Sequence, residues 1–91
     1  MASASQAYLV ELAQEFLATR TRISWDQLVS SDLKGETVSI NATPDEPSVE
    51  VEINVRRLPE AVEVEVTAYE PDDEGQPVVA VRRVGTVRKP A

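Results

Sequence analysis

The stretch SVEVEINVRR-LPEA-VEVEVTAYE, Ser48 to Glu70, alternates apolar and polar residues almost without a break on both arms of a short connection. Such a period of two marks a strand with one side buried and the other in water. On the first arm Val49, Val51, Ile53 and Val55 share a face, and Glu50, Glu52, Asn54 and Arg56 share the opposite one. On the second arm Val62, Val64, Val66 and Ala68 oppose Glu63, Glu65, Thr67 and Tyr69. Pro59 has no N–H to give to a ladder, so it belongs to the connection Leu58-Pro59-Glu60-Ala61. A hairpin then sets Val55 against Val64, Ile53 against Val66 and Val51 against Ala68. Arg56 faces Glu63 and Asn54 faces Glu65. A slip of one residue would lay valines on glutamates, so burial of one face fixes the pairing.

Working outward, the spacing on either side predicts two more strands and two helices. Val38, Ile40 and Ala42 alternate with Thr37, Ser39 and Asn41 over residues 36–43, and the proline-bearing loop TPDEPS follows. Folding there places Ala42 opposite Val49, Ile40 opposite Val51 and Val38 opposite Ile53. The acidic loop PDDEGQP, residues 71–77, leads into a fourth strand over about 77–87. That fold-back sets Val79 against Ala68, Val81 against Val66 and Arg82 against Glu65, and a bulge at Gly85 returns Arg83 to solvent. The hairpin arms themselves are expected over 48–57 and 62–70.

Leu9, Leu12, Ala13 and Phe16 recur at helical spacing, with Ser3 and Gln6 at capping-box separation, so a helix is expected over about 6–19. Ser24, Gln27 and Asp26 announce a shorter one over about 25–31, and Leu33-Lys34-Gly35 turns the chain into the first strand. The long helix is the one amphipathic cover for the valine face. The expected fold is therefore α+β: an N-terminal helix, with a short second helix, packed on one face of a four-stranded antiparallel meander. The order of elements is similar to that of several helix-plus-meander folds, cystatin-like ones among them, and no motif places the chain in any of them.

The 91 residues suffice for a single domain with a modest core. Cysteine and histidine are both absent, which excludes disulfide stapling, thiolate chemistry and the usual zinc sites. The lack of cysteine fits a cytoplasmic location. A formal net charge of −7 disfavours direct binding to nucleic acid or to anionic membrane. No apolar run is long enough to span a bilayer. The N-terminal stretch has the serine, alanine and arginine of a transit peptide, but Glu11 and Glu15 and its helical period assign it to the fold.

Candidate sites are few. Glu50, Glu52, Glu63 and Glu65 form an acidic outer face, read as a solvated surface partly neutralised by Arg56 and Arg82 rather than as a cation site or an acid–base pair. Hard cations take their ligands from loops that wrap them, and carboxylate catalysis needs a cleft. Asp72, Asp73 and Glu74 lack the alternating spacing of a calcium loop. Trp25 reads as a plug at the end of the core or as an anchor for a partner. Arg82, Arg83, Arg88 and Lys89 make a basic end without the interleaved aromatics of a nucleic-acid surface. Val78, Ala80, Arg82 and Val84 lie on a strand that is apolar on both faces, and at a sheet margin such a strand can pair with another chain.

No nucleophile sits beside a base, no glycine-rich phosphate loop is present, and no cofactor or metal is expected. The leading expectation is a small soluble non-enzymatic interaction or regulatory module that binds a protein partner or itself through an edge strand or the outer sheet face. A homodimer is one form of this. Two alternatives come from other classes: an acidic inhibitor mimicking nucleic acid, carried by the carboxylates between Asp45 and Glu74, and a small-ligand-binding domain with a pocket between helix and sheet.

Overall fold

The computed structural model describes residues 5–30, 35–44 and 47–90. Two helices, α1 (Gln6–Thr21) and α2 (Trp25–Ser30), precede four strands, β1 (Glu36–Ile40), β2 (Val49–Leu58), β3 (Ala61–Pro71) and β4 (Pro77–Arg88). The strands form one antiparallel sheet in the order β1-β2-β3-β4, each beside its neighbour in sequence. The architecture is α+β, with the helices packed against the sheet. The molecule is long and thin, with extents of 50 × 23 × 16 Å. No helix among the described residues is long and apolar enough to cross a membrane.

The central hairpin has the register that its alternation demands. Val55 pairs with Val64, Ile53 with Val66, Val51 with Ala68, Arg56 with Glu63 and Asn54 with Glu65. Pro59 and Glu60 alone make the turn. No described residue other than Gly75 has a positive φ. That excludes the turn types needing a left-handed residue and leaves type I, for which a proline at the first central position is pre-set.

The aliphatic face is closed by α1. Val49, Val51, Val64, Val66 and Ala68 are fully buried, with Ile53 1% exposed. Leu9 and Ala13 of the helix are equally inaccessible, and Leu12, Phe16 and Leu17 pack half-buried beside them. Burying one such valine contributes about 1.5–3 kcal/mol, which makes this face the main source of stability. The helix starts where Ser5 caps it, its hydroxyl accepting from Tyr8 N at 3.1 Å. Ser3 of the expected capping box lies outside the described residues. The helix runs past Thr19, and in its last turn the Thr21 hydroxyl lies 2.9 Å from the Leu17 carbonyl and 3.3 Å from the Ala18 carbonyl, the latter one of the four that a helix end leaves open. An Arg20–Glu36 ion pair ties this end to the start of β1. In α2, Ser24 Oγ accepts from Gln27 N at 3.3 Å. This helix packs on β3, and Leu28 and Val62 are buried. The expected turn at Leu33-Lys34 and the last residue of the second helix fall outside the described residues.

Both outer pairings differ from expectation by two residues. Ile40 pairs with Val49 and Val38 with Val51, because β1 ends at Ile40. The Ala42 N–H is taken by the Ser48 hydroxyl at 3.1 Å, so residues 41–44 and 47–48 lie outside the strands. On the other side Val81 pairs with Ala68, Arg83 with Val66 and Arg82 with Thr67. Here Asp72 builds the turn: its Oδ1 accepts from Glu74 N and Gln76 N, both at 2.8 Å, and its carbonyl accepts from Gly75 N at 3.0 Å. Gly75 takes φ 82°, open to glycine. A register shift between Glu70 and Pro71 then leaves Val78 as the extra residue of a bulge.

The bulge expected at Gly85 is absent. Pairing runs unbroken from Ala61–Arg88 to Glu70–Val79, and Arg83 stays half-buried on the helix side. Gly85 is a point of close approach instead: a Cβ there would lie 3.0 Å from Thr21 Cγ2 and 3.2 Å from Leu17 Cδ1. Gly85→Val should therefore cost about 1–3 kcal/mol in urea denaturation through overpacking. Leu17→Ala placed in the Gly85→Val background should cost less than Leu17→Ala alone, since the valine fills part of the space vacated.

Candidate functional site

β4 forms one margin of the sheet over twelve residues, against five for β1 at the other. In an antiparallel ladder the N–H and C=O of one residue point to the same neighbour. The tight turn makes Leu58 and Ala61 a bonded pair, so odd-numbered residues of β3 point to β2 and even-numbered ones to β4. Their partners on β4 are Val79, Val81, Arg83, Gly85 and Val87. The backbone groups of Ala80, Arg82, Val84 and Thr86 consequently face the open margin. Two contacts agree with this phase. Lys89 N donates inward to the Glu60 carbonyl at 2.9 Å. The Arg82 carbonyl, on the open side, accepts from Arg83 Nη1 at 2.9 Å.

The same residues carry exposed side chains. Val78 is 54% and Val84 44% exposed, the two large hydrophobic residues most open to water among the described residues, and Ala80 and Arg82 lie between them. They form a strip along the strand. Val78 and Val84 stand about 20 Å apart at the rise of an extended chain. Trp25 does not join them. It is half-buried near the other end of β4, with the Lys89 ammonium 5.5 Å from its ring centroid. Its Nε1–H is buried without an acceptor among the described residues. Trp25 thus closes one end of the molecule, roughly 35 Å along β4 from Val78.

The acidic outer face is two pairs of carboxylates, each with its own partners. Tyr69, opposite Glu50, donates its hydroxyl to Glu50 Oε2 at 2.7 Å and approaches Glu52 Oε1 at 3.4 Å. The hydrogen bond to Glu50, with burial and the nearby carboxylate charges, pushes the phenol up to about 12. Toward the hairpin turn, Arg56 meets Glu63 across the strands at 3.4 Å. Arg82 reaches diagonally to Glu65 at 2.5 Å. The Arg82 hydrogen bond holds the Glu65 carboxyl below the ordinary carboxylate value, while partial burial opposes it. Asn54, Arg56, Glu63, Glu65 and Arg82 line an open depression of about 440 Å³, and a second, of about 630 Å³, lies at the hairpin tip around Pro59, Arg88 and Pro90. Among the described residues no three carboxylates converge to hold a metal ion.

The chain matches no protein-family model, no curated protein and no solved structure. The alternation puts Tyr69 on the wet face without giving it a role, although its position opposite Glu50 is the available signal. Arg83 belongs to the basic end in the sequence, but nothing in a single sequence places its guanidinium on a particular carbonyl.

Tyr69 and Glu65 give opposite pH behaviour. Tyr69 ionises more reluctantly in the fold than in the open chain, so its contribution to stability is complete below pH 10 and is lost as pH rises from there through about 12. Wild type should lose stability across that window more steeply than Tyr69→Phe, followed by chemical denaturation at each pH. Glu65 behaves inversely. Its contribution is present above its ordinary value of 4.5 and is lost as pH falls through the lower folded value. Wild type and Glu65→Gln should therefore converge in stability on acidification below that point.

Proposed function

We propose that this chain is a non-enzymatic protein-binding module, acting in the cytoplasm, that takes an extended segment of another polypeptide along the open margin of β4. The observation that carries the reading is the phase of that margin. Ala80, Arg82, Val84 and Thr86 offer backbone donors and acceptors outward, on a strand whose exposed side chains include Val78 and Val84. Unpaired strand edges are templates for strand addition, in which main-chain bonds give affinity and alternate side chains give choice. Natural edges are usually short or bulged, whereas β4 is regular from Val79 to Arg88.

The acidic-mimic reading draws less support, because Glu50, Glu63 and Glu65 are engaged by Tyr69, Arg56 and Arg82. Among the described residues, a small-ligand reading has open depressions on the outside of the sheet and at its tip, where a ligand would keep much of its hydration.

Ala80→Pro separates the possibilities. It deletes an outward N–H and leaves the bonds to β3 intact. Light scattering and affinity capture from the host should show a protein, or a second copy, retained by wild type and lost from Ala80→Pro. Equal retention by both would move the binding surface elsewhere. A strict monomer that retains no protein would overturn the module itself.

A further inference from the structure

We infer that the open margin of β4 selects an acidic extended peptide in preference to a second copy of this chain. The inference rests on the edge-binding reading above and adds the chemistry of the partner. β4 together with Lys89 carries four of the nine lysines and arginines and none of the 16 acids. The margin is thus a cationic strip on a molecule of net charge −7. Of its cations, Arg82 is held by Glu65, whereas Arg83 and Arg88 have no carboxylate partner among the described residues.

Self-pairing conflicts with this distribution. Antiparallel partners share a face, so the two registers of longest overlap for the regular stretch Val79–Arg88 centre the two-fold axis on Arg83 or on Val84. The first sets Arg83 against its own copy, and the second sets Val84 on Val84 but still gathers the cations of both strands with no acid on either. Like charges directly opposed destabilise a strand pair. A peptide with two adjacent acids avoids this. Neighbouring residues on a strand project to opposite faces, so one carboxylate meets Arg82 on the outer face and the other meets Arg83 on the helix side. Apolar residues then fall opposite Ala80 and Val84.

Arg83 has a second part in this. Its guanidinium occupies the Arg82 carbonyl in the free protein, at 2.9 Å. An incoming strand needs that carbonyl for its own N–H, and a carboxylate opposite Arg83 gives the displaced guanidinium a stronger acceptor. An uncharged strand would displace it without that return. Charge preference and access to the edge are therefore coupled through one side chain.

The test uses the full chain and two capped, fluorescein-labelled octapeptides, Thr-Thr-Val-Glu-Glu-Thr-Val-Thr and its counterpart with both glutamates replaced by lysine. Anisotropy should show the acidic peptide binding at least about tenfold more tightly at about 50 mM salt, with the gap narrowing several-fold at about 500 mM. Ala80→Pro should abolish binding of the acidic peptide. Arg83→Gln, which keeps a donor for the Arg82 carbonyl but loses the charge, should reduce the preference while leaving the fold intact by circular dichroism. Equal binding of the two peptides would overturn the charge selection and leave the edge reading standing. A dimer by light scattering, dissolved by Ala80→Pro, with neither peptide bound would overturn this inference in favour of the second copy. No peptide binding and no dimer would bring down both readings.

Discussion

The structure depends on one aliphatic face, shared by β2 and β3 and closed by α1. Val51, Ile53, Val64 and Val66 are shut away from water there, with Leu9 and Ala13 pressed on them. This constraint works through parity. Every second residue of the central strands must point to the helix, and every other one must tolerate solvent. The outer strands inherit the same rule: Val38 and Ile40 on β1, and Val79 and Val81 on β4, pack against the same core. Even the glycine that looked like an interruption serves this face, because Gly85 lets the C-terminal turn of α1 settle onto the sheet.

Parity was legible in the sequence, and absolute register was legible only where the connection was short. Pro59 and Glu60 leave the central hairpin no freedom, and its pairs are those the alternation implies. The two flanking connections are longer. Both outer pairings sit two residues from their expected places, a shift that keeps every side chain on its proper face and is therefore invisible to a pattern of period two. The deciding contacts are local and polar. The Ser48 hydroxyl takes the Ala42 N–H, and the Asp72 carboxylate gathers two backbone donors. A serine or an aspartate in a loop announces a turn without saying which amide it will hold.

The candidate site follows the same division. That β4 carries outward apolar residues could be read from Val78, Ala80 and Val84, whereas the direction of its free backbone groups needed the exact phase of β3. The four glutamates read as one acidic surface. In the fold they are a phenol-bound pair and an arginine-bound pair, because antiparallel pairing sets Tyr69 beside Glu50 and Arg56 beside Glu63. Trp25 and the exposed valines were both candidates for contact, and the length of β4 separates them.

The neighbour-to-neighbour strand order also bears on how the chain reaches this state. Each pairing in the sheet closes a short span, so ribbons can zip outward from the Pro59 turn at low entropic cost. The expensive closure is the docking of α1, which must bring Leu17 to Gly85 from near opposite ends of the sequence. With α1 undocked the aliphatic side of the sheet would lie bare, a surface on which such a molecule clumps with its own kind.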